Sequence, residues 1–208
     1  MNKIGEGYYY TVYEMSPTRV MKKETSYESK LAKLQSWYGN DSRLLEEKIS
    51  HLEESSKKSI ALSKRLAETP ELKAVLGNPM FVNDSEYEQD KATLLESFLD
   101  QENFLPLLHE YIQANFLLWA FGYGDVVHNF TFNAGVSVVT NKVILLDFNE
   151  LTQDKESIAK DIETQKWTNQ ASMLGLKRKY PDLYSQVEAL FGSGFNIDNV
   201  DKYWASRC

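Results

Sequence analysis

The stretch GYGDVVHNFTFNAGVSVVTNKVILLDFNEL, residues 122–151, decides the fold that the sequence predicts. Two β-type runs, Val136–Val139 and Val143–Leu146, flank a polar turn, and this pattern predicts a β-hairpin. Asn133 stands at the entrance of the hairpin and Asp147 at its exit, so both side chains emerge at the same end. An amide oxygen and a carboxylate are hard ligands, of the kind that Mg²⁺ prefers when it carries a nucleotide phosphate.

Length and composition describe an ordinary globular chain. Its 208 residues suit one compact domain or two small lobes that share a cleft. The formal net charge is −7, and the Lys/Arg residues form only short clusters such as Lys177–Lys179. This balance argues against a broad surface for nucleic acid or for an anionic membrane. The single cysteine, Cys208, excludes a disulfide framework and a thiolate metal site.

The sequence also bears on the compartment. No apolar signal-peptide core follows Met1, and the apolar run Phe116–Phe121 is too short to span a bilayer. We therefore expect no membrane and no nucleic-acid partner. A cytoplasmic compartment fits these features, and a secreted effector remains open.

The N-terminal region predicts a second hairpin. β-type runs at Tyr8–Met15 and Arg19–Lys23 are separated by a proline-containing turn. Gly5 and Gly7 precede the first run and would let backbone N–H groups approach an anion closely. Lys22 lies on the second run, from which its ammonium can point back under the glycines.

These N-terminal residues resemble a known pattern. Gly5-x-Gly7, Val12 and then Val20-Met21-Lys22 resemble the glycine-rich loop and strand lysine of the protein-kinase-like superfamily. Tyr10 replaces the third glycine of that pattern. The resemblance implies that Lys22 binds the α- and β-phosphates of ATP. It assigns these residues to nucleotide contact: Ile4, Gly5, Gly7, Val12 and Lys22.

Helices are predicted after the second run. The spacing of apolar residues predicts helices at Thr25–Tyr38 and from the N-cap Asp41 to about Glu68. The apolar stripe of the second helix slips through Ser55–Ser59, which indicates a kink or a half-exposed segment. A kinase-like fold pairs the strand lysine with a helical glutamate, and the sequence does not choose among five candidates: Glu28, Glu46, Glu47, Glu53 and Glu54.

Two more strands and a central helix are predicted next. The sequence predicts strands at Met80–Val82 and Tyr87–Leu95, and an apolar helix at Phe104–Phe121. The end of the second strand resembles the kinase-like hinge, whose backbone bonds adenine, so Glu96 and Phe98 are assigned to the nucleotide. A buried strand that leaves the sheet fits the same residues.

The resemblance also assigns the hairpin. It implies that Asn133 and Asp147 hold Mg²⁺, with Asp147 in the triplet Asp147-Phe148-Asn149. A helix is expected soon after, with Thr152 as a candidate N-cap and an apolar side of Ile158, Ile162 and Trp167. Two short helices follow, near Pro181–Phe191 and Asp198–Ala205.

The catalytic base is where the sequence departs from the family. His128 occupies the position, five residues before Asn133, at which the family carries an aspartate. His128 could serve as the base, because its ordinary pKa near 6.5 suits proton transfer at neutral pH. It could equally be structural, and Asp125 could reach the site if the loop is rearranged. In a third interpretation, the protein has no catalytic base and binds nucleotide without efficient transfer.

Together these features predict an α+β protein with a two-lobed protein-kinase-like fold. Residues 1–98 would form an N-lobe of a small antiparallel sheet plus helices, and residues 99–208 a reduced helical C-lobe. The implied function is an ATP- and Mg²⁺-dependent phosphotransferase acting on a protein or a small hydroxyl substrate. The alternative is a pseudokinase: a nucleotide-binding regulatory protein that uses the helix Asp41–Glu68 to bind a partner.

Overall fold

The computed structural model describes residues 1–126, 128–147 and 151–207. Within these ranges the protein is α+β, with one five-stranded and two smaller antiparallel sheets. The strands are β1 Asn2–Glu6, β2 Tyr10–Glu14, β3 Arg19–Glu24, β4 Met80–Phe81, β5 Glu86–Asp90, β6 Ala92–Leu94, β7 Gly124–Asp125, β8 Ala134–Ser137, β9 Val143–Leu145 and β10 Leu151–Thr152. The α-helices are α1 Tyr27–Tyr38, α2 Ser42–Leu66, α3 Pro70–Val75, α4 Phe104–Ala120, α5 Phe130–Asn133, α6 Lys155–Glu163, α7 Ala171–Lys179, α8 Pro181–Gly194 and α9 Ile197–Tyr203.

The five-stranded sheet has the order β1-β2-β3-β5-β4. The predicted hairpin of β2 and β3 is confirmed, with Val12 opposite Lys22. The sequence did not predict β1, which contains Gly5 and pairs with β2 so that Gly5 lies opposite Val12. β1 is an edge strand with little apolar content, so it lacks the alternation by which a half-buried strand is recognised.

The second helix begins at its predicted cap, Asp41, whereas the cap of the first helix, Ser26, was not predicted. The Ser26 side chain accepts a bond from the Ser29 amide at the start of α1, and the Asp41 carboxylate accepts two amide bonds at the start of α2. The half-exposed segment predicted at Ser55–Ser59 is confirmed as far as Lys58, whereas Ser59 is buried, as is Ser63 one turn further along the helix. Ser59 Oγ donates to the Leu151 carbonyl at 3.2 Å, so small hydroxyl side chains fill the inner face where the apolar stripe slips.

The predicted strand Tyr87–Leu95 is in fact two strands in different sheets. β5 pairs with β3 and β4, whereas β6 pairs with β8 in a three-stranded sheet of order β6-β8-β9. The break falls at Lys91, whose amide donates to the Thr18 carbonyl at 2.8 Å instead of continuing the ladder. The chain therefore crosses from one sheet to the other between Asp90 and Ala92.

Helix α4 occupies the centre of the core, as its apolar spacing predicted. Leu108, Ile112 and Trp119 are buried, and the helix packs against β9, α8 and α9. The amides of Ala205 and Arg207 donate to carbonyls of its last turn, which satisfies acceptors that a helix end leaves without intrahelical partners. The β8–β9 hairpin thus rests on a well-anchored helix.

The end of the chain departs from the prediction in detail. Thr152 is not an N-cap but belongs to β10, which pairs with β7. Asp154 caps α6 instead, by accepting bonds from the Glu156 and Ser157 amides. Trp167 lies in a separate 3₁₀ turn, and α7 was not predicted. In the described part of the chain, no helix has the length and apolar character needed to cross a membrane.

Candidate functional site

A cavity of about 410 Å³ lies beneath the β1–β2 connection. Its walls come from four places: the β1–β2 region, β3, the crossing between β5 and β6, and both ends of the β8–β9 hairpin. The cavity brings together seven residues that the sequence assigned to nucleotide or metal: Ile4, Gly5, Gly7, Val12, Lys22, Asn133 and Asp147. The N-terminal residues of this set are far in sequence from Asn133 and Asp147, so only the tertiary fold brings the two groups together.

The hairpin places Asn133 and Asp147 at one end, as predicted. Ala134 lies opposite Leu145 in the ladder, and the Leu146 amide donates to the Asn133 carbonyl at 2.8 Å. Asn133 and Asp147 therefore leave the paired region at adjacent points, and both line the cavity. Phe148 and Asn149, the rest of the predicted triplet, lie outside the described residues.

Lys22 is buried against the exit of the hairpin. Its Nζ donates to the Leu146 carbonyl and lies 5.5 Å from the centre of the Tyr87 ring. Burial lowers the pKa of the Lys22 ammonium to about 8, against an opposing effect of the Asp147 carboxylate. A lysine with this pKa is charged at neutral pH and faces a carboxylate, an arrangement that suits binding of phosphate with a divalent cation.

None of the five candidate glutamates forms an ion pair with Lys22 among the described residues. Three of them pair elsewhere, namely Glu53 with Lys30, Glu47 with Arg43 and Glu54 with Lys58. The buried serines of α2 occupy the part of the helix that faces β10. The strand lysine is therefore held by the hairpin, through Leu146, and not by a helical glutamate.

The residues assigned to a hinge lie away from the cavity. Glu96 and Phe98 belong to a 3₁₀ turn, Leu95–Phe98, and neither lines the cavity wall. The wall is formed instead by the crossing that precedes this turn: Gln89, Asp90, Lys91, Ala92 and Leu94. The prediction missed them because it placed the crossing inside one long strand, although the charged pair Asp90-Lys91 was a signal of the break.

Other lining residues were also missed. Tyr10 and Val20 line the cavity, and each lies two positions before a residue that was assigned to the site. Alternate residues of a strand share a face, so Val12 and Lys22 together could have identified both of them. Phe132 lines the cavity as well and is 47% exposed. Its position next to Asn133 was the available signal.

His128 lies outside the cavity, in the aromatic core. The residue is 4% exposed, its ring stacks on Phe195 with centroids 4.6 Å apart, and its Nδ1 is 3.3 Å from the Tyr111 hydroxyl. Burial lowers the pKa of the imidazole to about 4, so the ring is neutral at neutral pH. His128 therefore has the structural role that the sequence analysis gave as the alternative to catalysis.

Asp125 is also buried, on β7 opposite Leu151. Its charge adds to the effect of burial in raising the pKa of the Tyr111 hydroxyl, which places the carboxylate on the side of the helical core. Asp125 does not line the cavity. Neither residue considered as a base therefore borders the space in which an acceptor hydroxyl would have to lie.

The other carboxylates in the described cavity lining, Asp90 and Glu6, form ion pairs with basic side chains of the protein. Asp90 accepts bonds from Arg19 and Asn78, both at 2.7 Å, and Glu6 pairs with Lys3 and with Lys33. No group of three acidic, histidine or cysteine side chains in the described residues could hold a metal by itself. Asn133 and Asp147 would therefore share a Mg²⁺ with phosphate oxygens and water, which is how this ion usually binds with nucleotides.

Comparisons with protein-family models and with curated proteins found no match for this sequence.

Proposed function

We propose that this protein binds ATP with Mg²⁺ in the cavity and is an atypical kinase-like phosphotransferase. The observation that carries the proposal is the convergence of Gly5 and Gly7, Lys22, and the pair Asn133 and Asp147 on one cavity. Residues 1–98 and 99–208 would then be the two lobes of a kinase-like fold, with the nucleotide between them.

The two glycines support this proposal. A Cβ atom at Gly5 would meet nothing closer than 3.9 Å, and one at Gly7 nothing closer than 3.6 Å. Neither residue has the positive φ that favours glycine. Packing and φ therefore do not demand glycine at either position, and the missing side chains leave the backbone there open to close approach by a ligand.

Each group would act on phosphate by position and charge. Lys22 would neutralise the α- and β-phosphates, and Asn133 and Asp147 would hold Mg²⁺, which neutralises charge on the β- and γ-phosphates when bound. An acceptor hydroxyl oxygen would attack the γ-phosphorus while the bond to the β,γ-bridging oxygen breaks, and ADP would leave. The hydroxyl proton would pass to solvent, since neither His128 nor Asp125 borders the cavity.

The location of His128 and Asp125 favours a second candidate function. General-base catalysis contributes roughly 10²–10⁴-fold in rate, and neither residue lines the cavity. A pseudokinase would keep nucleotide binding and lose efficient transfer. Its output would be an interaction with a protein partner, for which the exposed side of α2 is the candidate surface.

Thermal unfolding with ATP tests the binding that both candidates share. We expect millimolar ATP with Mg²⁺ to raise the melting temperature of the wild type, because a ligand that binds only the folded state stabilises it. Asp147→Ala should lose the Mg²⁺-dependent part of this increase. The exposed Asp100 offers a matched control, and Asp100→Ala should behave as the wild type. Absence of any shift in the wild type would overturn the nucleotide site.

Incubation with γ-labelled ATP separates the two candidates. Label transfer to protein or to a small hydroxyl acceptor that disappears in Asp147→Ala and in Lys22→Met would support the phosphotransferase. ATP binding without transfer to any acceptor would support the pseudokinase. The expected setting is cytoplasmic, and the acceptor is either a protein or a small molecule.

A further inference from the structure

The outer side of the β1–β2 connection is held by donors from another element. The Gly7 carbonyl accepts hydrogen bonds from Lys33 Nζ at 2.6 Å and from Thr25 Oγ1 at 3.2 Å. The Glu6 carbonyl accepts a second bond from Lys33 Nζ, at 3.1 Å. Lys33 belongs to α1, so this helix holds two successive carbonyls of the segment that covers the cavity.

A second contact of α1 reaches the next residue of the connection. Trp37 follows Lys33 by one helical turn, which puts the two side chains on the same face of α1. The Trp37 ring lies 6.0 Å from the ring of Tyr8, centroid to centroid. Helix α1 therefore contacts Glu6, Gly7 and Tyr8 in succession.

These bonds determine which way the amides of the connection point. In a trans peptide the carbonyl and the following N–H point in opposite directions. Because Lys33 and Thr25 hold the Gly7 carbonyl, the Tyr8 N–H points away from both of them. Gly7 lines the cavity whereas Lys33 and Thr25 do not. The Gly7 N–H is already used by the Tyr10 carbonyl, at 2.8 Å.

We propose that Lys33 is a positioning residue that orients the connection so that the Tyr8 amide donates to the phosphates of the bound nucleotide. This inference rests on the proposed function. Lys33 would not touch the ligand itself. It would keep the loop from collapsing or rotating before the triphosphate arrives, and Thr25 would share that role through the same carbonyl.

The simpler explanation is that Lys33 only balances the charge of Glu6, with which it forms an ion pair at 3.2 Å. Lys3 distinguishes the two explanations, because it also pairs with the Glu6 carboxylate but makes no bond to the Gly7 carbonyl in the described structure. Removing either lysine disturbs the charge of Glu6. Only the loss of Lys33 frees the backbone of the connection.

Calorimetric titration with ATP and Mg²⁺, and separately with adenosine, tests the inference. We expect Lys33→Met to weaken ATP binding about tenfold and to leave adenosine binding unchanged, because adenosine lacks the phosphates that the loop would contact. Thr25→Val should weaken ATP binding about threefold, since it removes one neutral donor to the same carbonyl. Lys3→Met should match the wild type for both ligands.

The outcomes separate this inference from the proposed function. Wild-type binding of ATP together with unchanged affinity in Lys33→Met would overturn the positioning role alone. Equal losses in Lys33→Met and Lys3→Met, or an equal loss for adenosine, would also overturn it. A wild type that does not bind ATP would overturn the nucleotide site, and the role of Lys33 with it.

Discussion

His128 and Asp147 flank the same hairpin, but their side chains face different parts of the molecule. Asp147 lines the cavity beside Lys22, whereas His128 stacks on Phe195 in the aromatic core. The pairing of β8 with β9 places Asp147 at the cavity, whereas the short helix α5 lies between His128 and the hairpin. A titratable residue at the spacing expected of a base is therefore not enough to predict one, because a few residues of backbone decide which side of the sheet its side chain faces.

The largest expected effect comes from Gly135, at the start of the hairpin that separates the two environments. A Cβ atom at this position would lie 2.6 Å from the Thr93 carbonyl oxygen on the paired strand. We expect Gly135→Ala to lower the free energy of unfolding by about 3 kcal/mol, because the neighbouring atom is backbone and yields little. Urea unfolding measures this change.

Gly175 provides the control for that substitution. It lies within α7, and a Cβ atom there would meet nothing within 4 Å. Gly175→Ala should therefore stabilise the protein by up to about 1 kcal/mol, as expected for alanine replacing glycine in a helix. If both variants changed stability equally, the close approach of β8 to β6 would not be a constraint.

His128 should act on stability at acid pH and not on nucleotide binding. Its pKa is lowered to about 4 by burial, from an ordinary value near 6.5. Between these values the unfolded chain binds a proton that the folded protein does not, so stability falls as pH decreases from 6.5 to 4. The loss from this group is about 3 kcal/mol.

His128→Asn tests this assignment, since it keeps a polar group near Tyr111 and removes the titration. Urea unfolding at pH 7 and at pH 4.5 should show a smaller loss of stability in the variant than in the wild type. ATP binding should be retained. A variant that folds normally and loses label transfer would instead restore His128 as the base.

Lys22 should show a pH dependence of the same sign as His128, but in an alkaline range. Its pKa is lowered from 10.5 to about 8, mainly by burial. Between pH 8 and 10.5 the unfolded chain keeps a proton that the folded protein has released, so this group adds stability as pH rises through that range. The wild type should gain stability relative to Lys22→Met in urea unfolding at pH 8 and pH 10. A constant difference between the two proteins would contradict the lowered pKa.

Asn133 should give the smallest of these effects. It would be one of two protein ligands of Mg²⁺, and water can replace an amide oxygen. We expect Asn133→Ala to raise the Mg²⁺ concentration needed for ATP binding about tenfold, which corresponds to roughly 1.4 kcal/mol. Titration of Mg²⁺ at fixed ATP measures it. An unchanged Mg²⁺ requirement would leave Asp147 without this partner in the metal site.

The predictions that succeeded concern contacts between residues that are close in sequence. Asp41 caps α2 because its carboxylate reaches amides in the same turn, and the β8–β9 hairpin follows from alternation and a polar turn. The shared position of Asn133 and Asp147 is a consequence of that hairpin and needs no distant contact. The prediction of a single strand at Tyr87–Leu95 failed because β-type residues do not show which sheet they will join.

By itself, then, the sequence determined most helices, most strands and the shared position of Asn133 and Asp147, because these depend on neighbours along the chain. Only the tertiary structure decided that Lys22 is held by the Leu146 carbonyl, that Glu53 pairs with Lys30, and that His128 is buried. Those outcomes depend on desolvation and on packing between segments remote in sequence. Local spacing carries no information about which remote segment will exclude water from a side chain.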